Sequence, residues 1–387
     1  MSPPPAPSSR PGRGAVRPSA IFLSQRYFVD AQQRRVERDR RALTSQGHNS
    51  ARKTVSPGSV GPLVLGLDVG GTKLAAGVID RDGGVRSWLT TASQVEEGPD
   101  AVIGRHLELG RAAVDDAGAK WSEVGTVGIG CGGPLDPFRG IVQAPLHLPG
   151  WHDVPLAAIV EAAYERPAFL DNDATAGALA EYLFGAGRTR GVHHLVYLTI
   201  STGIGGGFVL DGRVYRGAAG NAGELGHLTV DRLGRVCACG RRGCLEAYAS
   251  GTNIAVRARE GLDSGEQSSL RSLASVTARD VAEAAAAGDA LASRIWDETT
   301  AILGSAIANI LDVINPELIV LGGGVTGAGD QLLVPVRQAG LAGALPPARN
   351  IGDIVLSELG DRLGVVAAAA IAFERLGEGA AVELACG

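Results

Sequence analysis

Thiol and imidazole side chains in the middle of the chain have the composition of a metal site. Four residues follow the spacing H-x9-C-x-C-x4-C, namely His227, Cys237, Cys239 and Cys244. Three thiolates with one imidazole are a ligand set of closed, tetrahedral zinc sites. The alternatives are a disulfide and thiols buried as small apolar groups. The combined pattern favours a structural Zn²⁺ over both.

A glycine-rich turn directly after an apolar segment is a second candidate for chemistry. Gly70 and Gly71 are adjacent, so the backbone can turn sharply and point its N–H groups at phosphate oxygens. Thr72 and Lys73 add a hydroxyl and a cation, and Asp68 adds a carboxylate suited to Mg²⁺. The alternative is a plain hairpin turn, in which adjacent glycines are also common.

Two further glycine-rich turns repeat this arrangement. Thr202 and Gly203 lie in the turn at 201–207, and Gly323 is the central residue of 322–324. The repetition favours nucleotide binding over isolated hairpins. A P-loop is excluded because no lysine occupies the frame of G-x-x-x-x-G-K-[ST]. A Rossmann turn opens a helix, whereas the segments after the first two turns have the pattern of strands.

Three polar residues, Asp171, Asn172 and Asp173, lie between a predicted strand and a predicted helix. Asn and Asp are favoured helix N-caps, which is one explanation of this motif. The other is a catalytic base, since the helix dipole stabilises an ionised carboxylate at this position. Taken alone, the motif leaves both explanations open.

Two glutamates flank the predicted zinc ligands. Glu224 lies three residues before His227, and Glu246 lies two residues after Cys244. An ion bound between these ends would fix both carboxylates. Fixed carboxylates suit sugar hydroxyls, which donate and accept hydrogen bonds. The alternative is two solvated glutamates.

Apolar segments separated by turn residues predict the elements that position these side chains. Strands are predicted at 63–68, 74–80, 85–91, 124–130, 167–170, 194–201, 208–215, 317–321 and 353–356, and helices at 101–117, from 174 onward, within 278–311 and at 361–377. Strand, glycine-rich turn and strand open each of two successive blocks. This alternation predicts two α/β domains with a small-molecule site in the cleft between them.

Length and charge exclude several classes of protein. A chain of 387 residues exceeds the roughly 100–200 residues of one domain. Residues 1–60 carry a net charge of +8 and the remainder −13, which argues against broad binding of nucleic acid by the main body. No apolar window has the length of a membrane span, and the N-terminus lacks a signal-peptide core. Clustered cysteines without a disulfide framework predict a cytoplasmic protein.

The basic N-terminal segment, residues 1–60, is predicted to lie outside both domains. Residues 1–20 are rich in Pro, Ser and Arg, a composition typical of disorder. Residues 21–45 have the pattern of one short helix but not of a buried domain. Two explanations stay open: a start codon placed too far upstream, and a regulatory tail.

From about Leu63 onward the motifs together resemble the ROK family (repressor, open reading frame, kinase), which includes bacterial sugar kinases. The most specific stretch is AGELGHLTVDRLGRVCACGRRGCLEAYASG at 222–251, similar to an E-x-G-H element followed by C-x-C-G-x-x-G-C-x-E. LGLDVGGTK and DNDATAGALAEYLFGAG resemble the family's phosphate loop and catalytic motif. The resemblance implies an α/β fold of the actin-like, ribonuclease-H-like ATPase type. Its domains would be 61–172 plus 361–387 and a larger 173–360 with the zinc loop.

The resemblance also implies roles in phosphoryl transfer. Asp173 would take the proton from a sugar hydroxyl that attacks the γ-phosphorus of Mg-ATP. The sugar would lie among Gly133, Asn172, Glu224, His227 and Glu246. His227 would bind zinc through one ring nitrogen and leave the other for a partner. The nucleotide and its Mg²⁺ would contact the glycine-rich turns.

Two segments depart from the family pattern. The sugar-side loop, often A-P-G-P, is here Cys131-Gly132-Gly133-Pro134, and the element N-L-P-G-W begins with His147. Both lie near the expected sugar site, so they weaken an exact substrate assignment. The phosphate loops and Asp173 are unaffected.

Two function classes follow from the resemblance. The first is an ATP-dependent hexose kinase, with a glucokinase favoured over kinases of N-acetylmannosamine, fructose, mannose or allose. ATP is favoured over polyphosphate as the phosphoryl donor. The second is a sugar-responsive repressor, which needs a DNA-reading module for which sixty irregular residues are too few. We therefore expect a kinase that does not bind membranes, and we do not expect nucleic acid to be its partner. The resemblance also implies a dimer or tetramer.

Overall fold

The computed structural model describes residues 61–145 and 147–377. The described residues all belong to one compact unit, residues 55–387. The predicted tail at 1–60, with its expected disorder and short helix, lies outside the described residues.

The first sheet has five strands in the order β3-β2-β1-β4-β7. Its strands are β1 Leu63–Val69, β2 Lys73–Asp80, β3 Val85–Ala92, β4 Val124–Cys131 and β7 Ala168–Asn172. The first three strands pair antiparallel, and β4 and β7 continue the sheet in parallel with β1. The turn between β1 and β2 is the first glycine-rich turn.

The second sheet repeats the first, with the order β10-β9-β8-β11-β12. Its strands are β8 Leu195–Ile200, β9 Ile204–Leu210, β10 Arg213–Val214, β11 Leu318–Gly322 and β12 Asp353–Leu356. The strands β8, β9 and β10 pair antiparallel, whereas β11 and β12 run parallel to β8. The duplicated layout predicted from the two sequence blocks is therefore confirmed.

Helices cover and connect the sheets, and a short ribbon pairs β5 Leu135–Asp136 with β6 Ile141–Val142. The α-helices are α1 Pro99–Asp116, α2 Leu156–Tyr164, α3 Asp173–Phe184, α4 Ala186–Arg190, α5 Glu246–Ala249, α6 Gly251–Asp263, α7 Ala278–Ala286, α8 Ala290–Ile314, α9 Asp330–Gly343, α10 Pro346–Ile351 and α11 Leu363–Arg375. Short 3-10 turns lie at Val95–Glu97, Leu225–His227, Ser269–Ser272, Gly324–Ala328 and Gly360–Arg362. None of the helices in the described ranges is long and apolar enough to cross a membrane.

The alanine-rich helix α11 packs closely on the first sheet because two strands carry glycine beneath it. A Cβ atom at Gly128 would collide with the carbonyl oxygen of Ala368, and one at Gly66 with that of Val365. The same helix also contacts α3 and buries apolar side chains such as Ile371. The C-terminal helix therefore contacts both the strand that bears Asp68 and the helix that begins at Asp173.

The register of the first sheet aligns the candidate site residues. Asp68 pairs with Gly130, which pairs in turn with Asp171, and Cys131 pairs with Asn172. Because β1, β4 and β7 are parallel, their carboxyl ends meet at the same edge of the sheet. The polar residues that follow these strands are thus brought together.

The strands after β8 differ from the sequence prediction. The single strand predicted at 208–215 is divided into β9 and β10 by a turn at Asp211 and Gly212. The second glycine-rich turn is only Ser201–Gly203, and β9 begins at Ile204, before the three glycines that follow it. A Cβ atom at Gly207 would lie 2.5 Å from the carbonyl oxygen of Ala174. Gly205 and Gly207 therefore serve the close packing of β9 against α3, not a turn. The proposed division into 61–172 plus 361–387 and 173–360 stays a prediction.

Candidate functional site

A cavity of about 140 Å³ lies where residues of both sheets face each other. Asp68 and Asp173 line it from the first sheet and its following helix, and Thr199 lines it from β8. The first turn of α11 closes one wall with Gly364, where a Cβ atom would collide with the carboxylate of Asp68. Two carboxylates therefore share one small cleft.

Asp173 is the first residue of α3, with its side chain open to the cleft. Its Oδ1 accepts a hydrogen bond from the backbone N–H of Ala174 at 2.8 Å. Desolvation of the carboxyl group by the surrounding protein raises the pKa of Asp173, whereas this N–H and the nearby His147 oppose that shift. The helix N-terminus thus holds a carboxylate of raised basicity in the cavity.

Asn172 caps the same helix. Its Oδ1 accepts from the N–H groups of Ala174 and Thr175 at 3.0 and 3.1 Å. The helix-cap explanation is thus confirmed for Asn172, and Asp173 faces the cleft, as a catalytic base would have to. The Nδ2 of Asn172 lies on the side of Gly133, where it would be 3.6 Å from a Cβ atom on that glycine.

The first glycine-rich turn places the charge of Lys73 near Asp68. The N–H of Gly70 donates to the carbonyl of Lys73 at 3.1 Å, which closes the hairpin. The side chains of Thr72 and Lys73 are exposed. Burial and the charge of Asp173 raise the pKa of Asp68 to about 7, and Lys73 opposes this shift. The negative charges around this cleft therefore favour a cation.

The second and third glycine-rich turns lie side by side. A Cβ atom at Gly323 would lie 2.5 Å from the carbonyl oxygen of Ile200, and Gly323 adopts a φ of 89° that favours glycine. The N–H of Gly251, at the start of α6, donates to the carbonyl of Ser201 at 2.7 Å. The third turn thus presents bare glycine backbone at Gly323 beside the second turn, which suits the approach of a flat base.

The glutamates beside the cysteines differ in their contacts. Glu246 accepts the backbone N–H of Ile204 on its Oε2 at 2.9 Å. Glu224 is mainly exposed, and its Oε2 lies 3.9 Å from Nε2 of His227. Glu246 is therefore fixed against the second glycine-rich turn, whereas the carboxylate of Glu224 is open to solvent.

The four predicted metal ligands form one cluster. One ligand atom from each of His227, Cys237, Cys239 and Cys244 lies within 4.8 Å of every other. Nδ1 of His227 is 3.8 Å from Sγ of Cys237, and the sulfurs of Cys239 and Cys244 are 3.6 Å apart. Tetrahedral Zn–S bonds of about 2.3 Å imply sulfurs about 3.8 Å apart, so the donor set fits zinc. The three cysteines are free thiols, which excludes the disulfide alternative.

Hydrogen bonds hold the loop around this cluster. The hydroxyl of Tyr248 accepts the N–H of Arg235 at 2.9 Å and donates to Asp231 at 3.1 Å. A Cβ atom at Gly243 would collide with the carbonyl of Asp231, and Gly243 has a φ of 73°. The loop thus has a defined backbone path that brings its ends together.

Three residues near the site were not predicted to act there. His147 lies over Gly132 and Gly71, where added Cβ atoms would contact its ring and its backbone. Asn221 lies near Gly133, in the loop at 131–134. Arg216 contacts Asp171 directly. Only His147 carried a sequence signal, because it departs from the family pattern.

Two sheets of identical strand order around a carboxylate-lined cleft define an actin-like ATPase fold. The chain matches the ROK family over residues 64–375 and belongs to that family. It is 37% identical over 318 residues to a glucokinase of Thermotoga maritima, covering 81% of this chain and 98% of that relative.

Solved structures of two kinds are similar to this chain. A ROK family glucokinase from Streptomyces griseus, in complex with glucose and AMPPNP, superposes with a TM-score of 0.68 at 32% identity, covering 79% of this chain and 98% of the other. A ROK family transcriptional regulator, a homologue of E. coli MLC, superposes with a TM-score of 0.72 at 30% identity, covering 83% and 80%. The family therefore includes both an enzyme and a regulator that share this fold.

Proposed function

We propose that this chain is an ATP-dependent hexose kinase with glucose as its acceptor, forming glucose 6-phosphate. The observation that carries the proposal is the carboxylate of Asp173, held at a helix N-terminus in one cavity with Asp68. The glucokinases at 37% and 32% identity, matched over nearly their whole length, support it.

Asp173 is the proposed base. A sugar hydroxyl that attacks the γ-phosphorus must lose its proton, and the raised pKa of Asp173 makes its carboxylate a better acceptor. The hydroxyl oxygen forms the new P–O bond while the bond to the ADP oxygen breaks. Because this transition state requires mainly positioning and charge neutralisation, the glycine-rich turns are as important as the base.

The proposed nucleotide contacts are Asp68 and residues of the three glycine-rich turns. Gly70, Gly71, Thr72 and Lys73 would contact phosphate oxygens from one side, and Thr202 and Gly203 from the other. The flat base would lie against the backbone at Gly323. Mg²⁺ bound with ATP would neutralise charge on the transferring phosphoryl group. The negative environment of Asp68 and Asp173 supports a cation at this place. Closure of the two sheets around both substrates would exclude water and limit ATP hydrolysis.

The proposed sugar contacts are Gly133, Asn172, Glu224, His227 and Glu246. The Nδ2 of Asn172 faces Gly133, which supports a shared subsite. Nδ1 of His227 lies toward Cys237 and Nε2 toward Glu224. This orientation supports a histidine that binds metal through one nitrogen and sugar through the other.

A structural Zn²⁺ is proposed at His227, Cys237, Cys239 and Cys244. The separation of their ligand atoms supports this, since it matches a tetrahedral site. When bound, the ion would fix the loop that carries Glu224 and Glu246. The thiols and the ATP requirement support a cytoplasmic location. A dimer or tetramer stays a prediction.

The test is a coupled ADP-release assay with a panel of hexoses and amino sugars. We expect the highest kcat/KM with glucose, followed by mannose, fructose or N-acetylmannosamine. ATP should be replaced by polyphosphate only with a large loss of rate. ADP release that does not depend on any sugar in the panel would contradict the proposal.

A sugar-responsive regulator is the second candidate, because the MLC homologue has the same fold at 30% identity. The discriminating measurement is DNA binding by the full chain at rising salt. Sequence-specific binding that resists salt would favour the regulator. Sugar-dependent ADP release without such binding favours the kinase.

A further inference from the structure

We propose that Glu246 couples the sugar site to the second glycine-rich turn, so that sugar and nucleotide strengthen each other's binding. The inference rests on the proposed kinase function, in which Glu246 contacts the sugar. It adds a second partner for the same carboxylate, on the nucleotide side of the cleft.

The contact that carries the inference is a side-chain to backbone hydrogen bond. Glu246 begins helix α5, two residues after Cys244. Its Oε2 accepts from the N–H of Ile204, the residue that follows the Thr202–Gly203 turn, at 2.9 Å. A Cβ atom at Gly203 would lie 2.7 Å from the same oxygen. The carboxylate therefore fills the space that the absence of a side chain at Gly203 leaves.

The backbone around Glu246 is fixed independently of its carboxylate. The Nδ2 of Asn253 donates to the carbonyl of Glu246 at 2.9 Å and to Oγ of Ser250 at 2.9 Å. The N–H of Gly251 donates to the carbonyl of Ser201 at 2.7 Å. The segment that carries Glu246 is thus anchored to the turn at one point through backbone alone. The carboxylate supplies a second attachment point to the turn, and a substitution at Glu246 can remove this one.

The two oxygens of this carboxylate have different surroundings. Oε2 is committed to Ile204, whereas the described contact of Oε1 is with Sγ of Cys237 at 4.0 Å. That distance makes at most a weak hydrogen bond, so Oε1 can accept from a sugar hydroxyl. A sugar bound to Oε1 would restrict the carboxylate and, through Oε2, the turn at Ile204.

A restricted turn costs less entropy to order around a nucleotide. Binding of the sugar would therefore strengthen binding of the nucleotide, and linkage requires the same factor in the reverse direction. One net hydrogen bond of about 1 kcal/mol corresponds to a coupling of about 5-fold. Glu246 would then be a positioning residue for the phosphate-binding turn besides a sugar ligand.

Substitutions separate the reach of this side chain from its charge. Glu246→Asp keeps the charge but is one methylene shorter, so it cannot span both the sugar and Ile204. Glu246→Gln keeps the length, since its oxygen can accept from Ile204 while its amide donates to the sugar. Gly203→Ala disturbs the contact from the other side. Glu224→Gln is the matched control, a glutamate beside the sugar with no described contact to the turn.

The experiment measures the Kd of glucose by calorimetry with and without a saturating non-hydrolysable ATP analogue, on zinc-loaded protein. The ratio of the two Kd values is expected to be about 5 in the wild type and in Glu246→Gln. It should fall toward 1 in Glu246→Asp and in Gly203→Ala. Glu224→Gln should weaken glucose binding and keep the ratio.

Zinc content per chain is measured for each variant, so that loss of the metal loop is recognised. An unchanged ratio in Glu246→Asp, or a wild-type ratio of 1, overturns the coupling even if the enzyme phosphorylates glucose. Absence of any sugar-dependent ADP release in the wild type overturns the proposed kinase and the coupling together. The two failures are therefore distinguishable.

Discussion

Arg216 donates from Nε to Oδ2 of Asp171 at 2.5 Å, and this ion pair is almost entirely buried. The rest of the guanidinium forms two hydrogen bonds to Glu374, at 3.1 and 2.9 Å. Asp171 also accepts the N–H of Asn172 on Oδ1 at 2.9 Å. Burial raises the pKa of Asp171, and Arg216 opposes that shift. Arg216, which follows β10, thus connects two parts of the fold. It binds the end of β7, just before Asp173, and it binds helix α11.

Replacing Arg216 with Met should destabilise the fold by ~3–5 kcal/mol, since it leaves Asp171 buried without its cation. Urea unfolding at pH 7 would measure this loss. The double variant Arg216→Met with Asp171→Asn should regain part of it, because the uncompensated charge is removed. A single variant as stable as the wild type would show that the ion pair is dispensable.

Asp173→Asn should reduce kcat by ~10²–10⁴-fold, because the amide cannot accept the proton of the attacking hydroxyl. Glucose binding should survive, since the amide fills the same space at the start of α3. Stopped-flow ADP release gives kcat, and calorimetry gives the Kd of glucose. Turnover near the wild-type rate in Asp173→Asn would remove this residue from the base role.

Cys239→Ser should release zinc and weaken glucose binding, because a neutral hydroxyl is a poorer zinc ligand than a thiolate. The measurement is metal content by plasma mass spectrometry, with about one zinc per chain expected in the wild type. Cys131→Ser is the matched control, a buried free thiol outside the cluster. It should retain zinc. Purified wild-type protein that contains no zinc would refute the metal site.

Much of the fold could be predicted because it depends on local patterns. Buried strands such as β1 and β8 appear as short apolar runs, and the duplicated strand-turn-strand unit appears twice in the sequence. The cluster of one histidine and three cysteines was also predictable, since residue types and spacing are local. Its four ligand atoms indeed lie within 4.8 Å of one another.

The remaining features depend on distant contacts. The start of β9 at Ile204 follows from the packing of Gly207 against α3, which no local glycine count reveals. Arg216 meets Asp171 and Glu374 only after the chain folds, over sequence separations of 45 and 158 residues. Sequence patterns identify the candidate groups, but they do not identify which groups share a hydrogen bond.

Acid sensitivity should arise in part from His106, a buried residue of α1. Its Nε2 lies 2.9 Å from the carbonyl oxygen of Ala75, so the neutral ring donates there. Burial lowers the pKa of His106 to about 4, and the bond to Ala75 opposes that shift. The unfolded chain, with an ordinary histidine pKa of about 6.5, binds this proton more readily than the native state. Its contribution is therefore present above pH ~6.5 and is lost as pH falls toward ~4.

The full contribution is ~3 kcal/mol, because each unit of pKa difference corresponds to about 1.4 kcal/mol. His106→Gln keeps a donor for Ala75 but does not titrate. Urea unfolding between pH 7.5 and 4.5 should therefore show a smaller loss of stability in this variant than in the wild type. His152→Gln, at an exposed position, should lose stability as the wild type does. If His106→Gln and the wild type lose stability in parallel, His106 does not stay neutral in the folded protein.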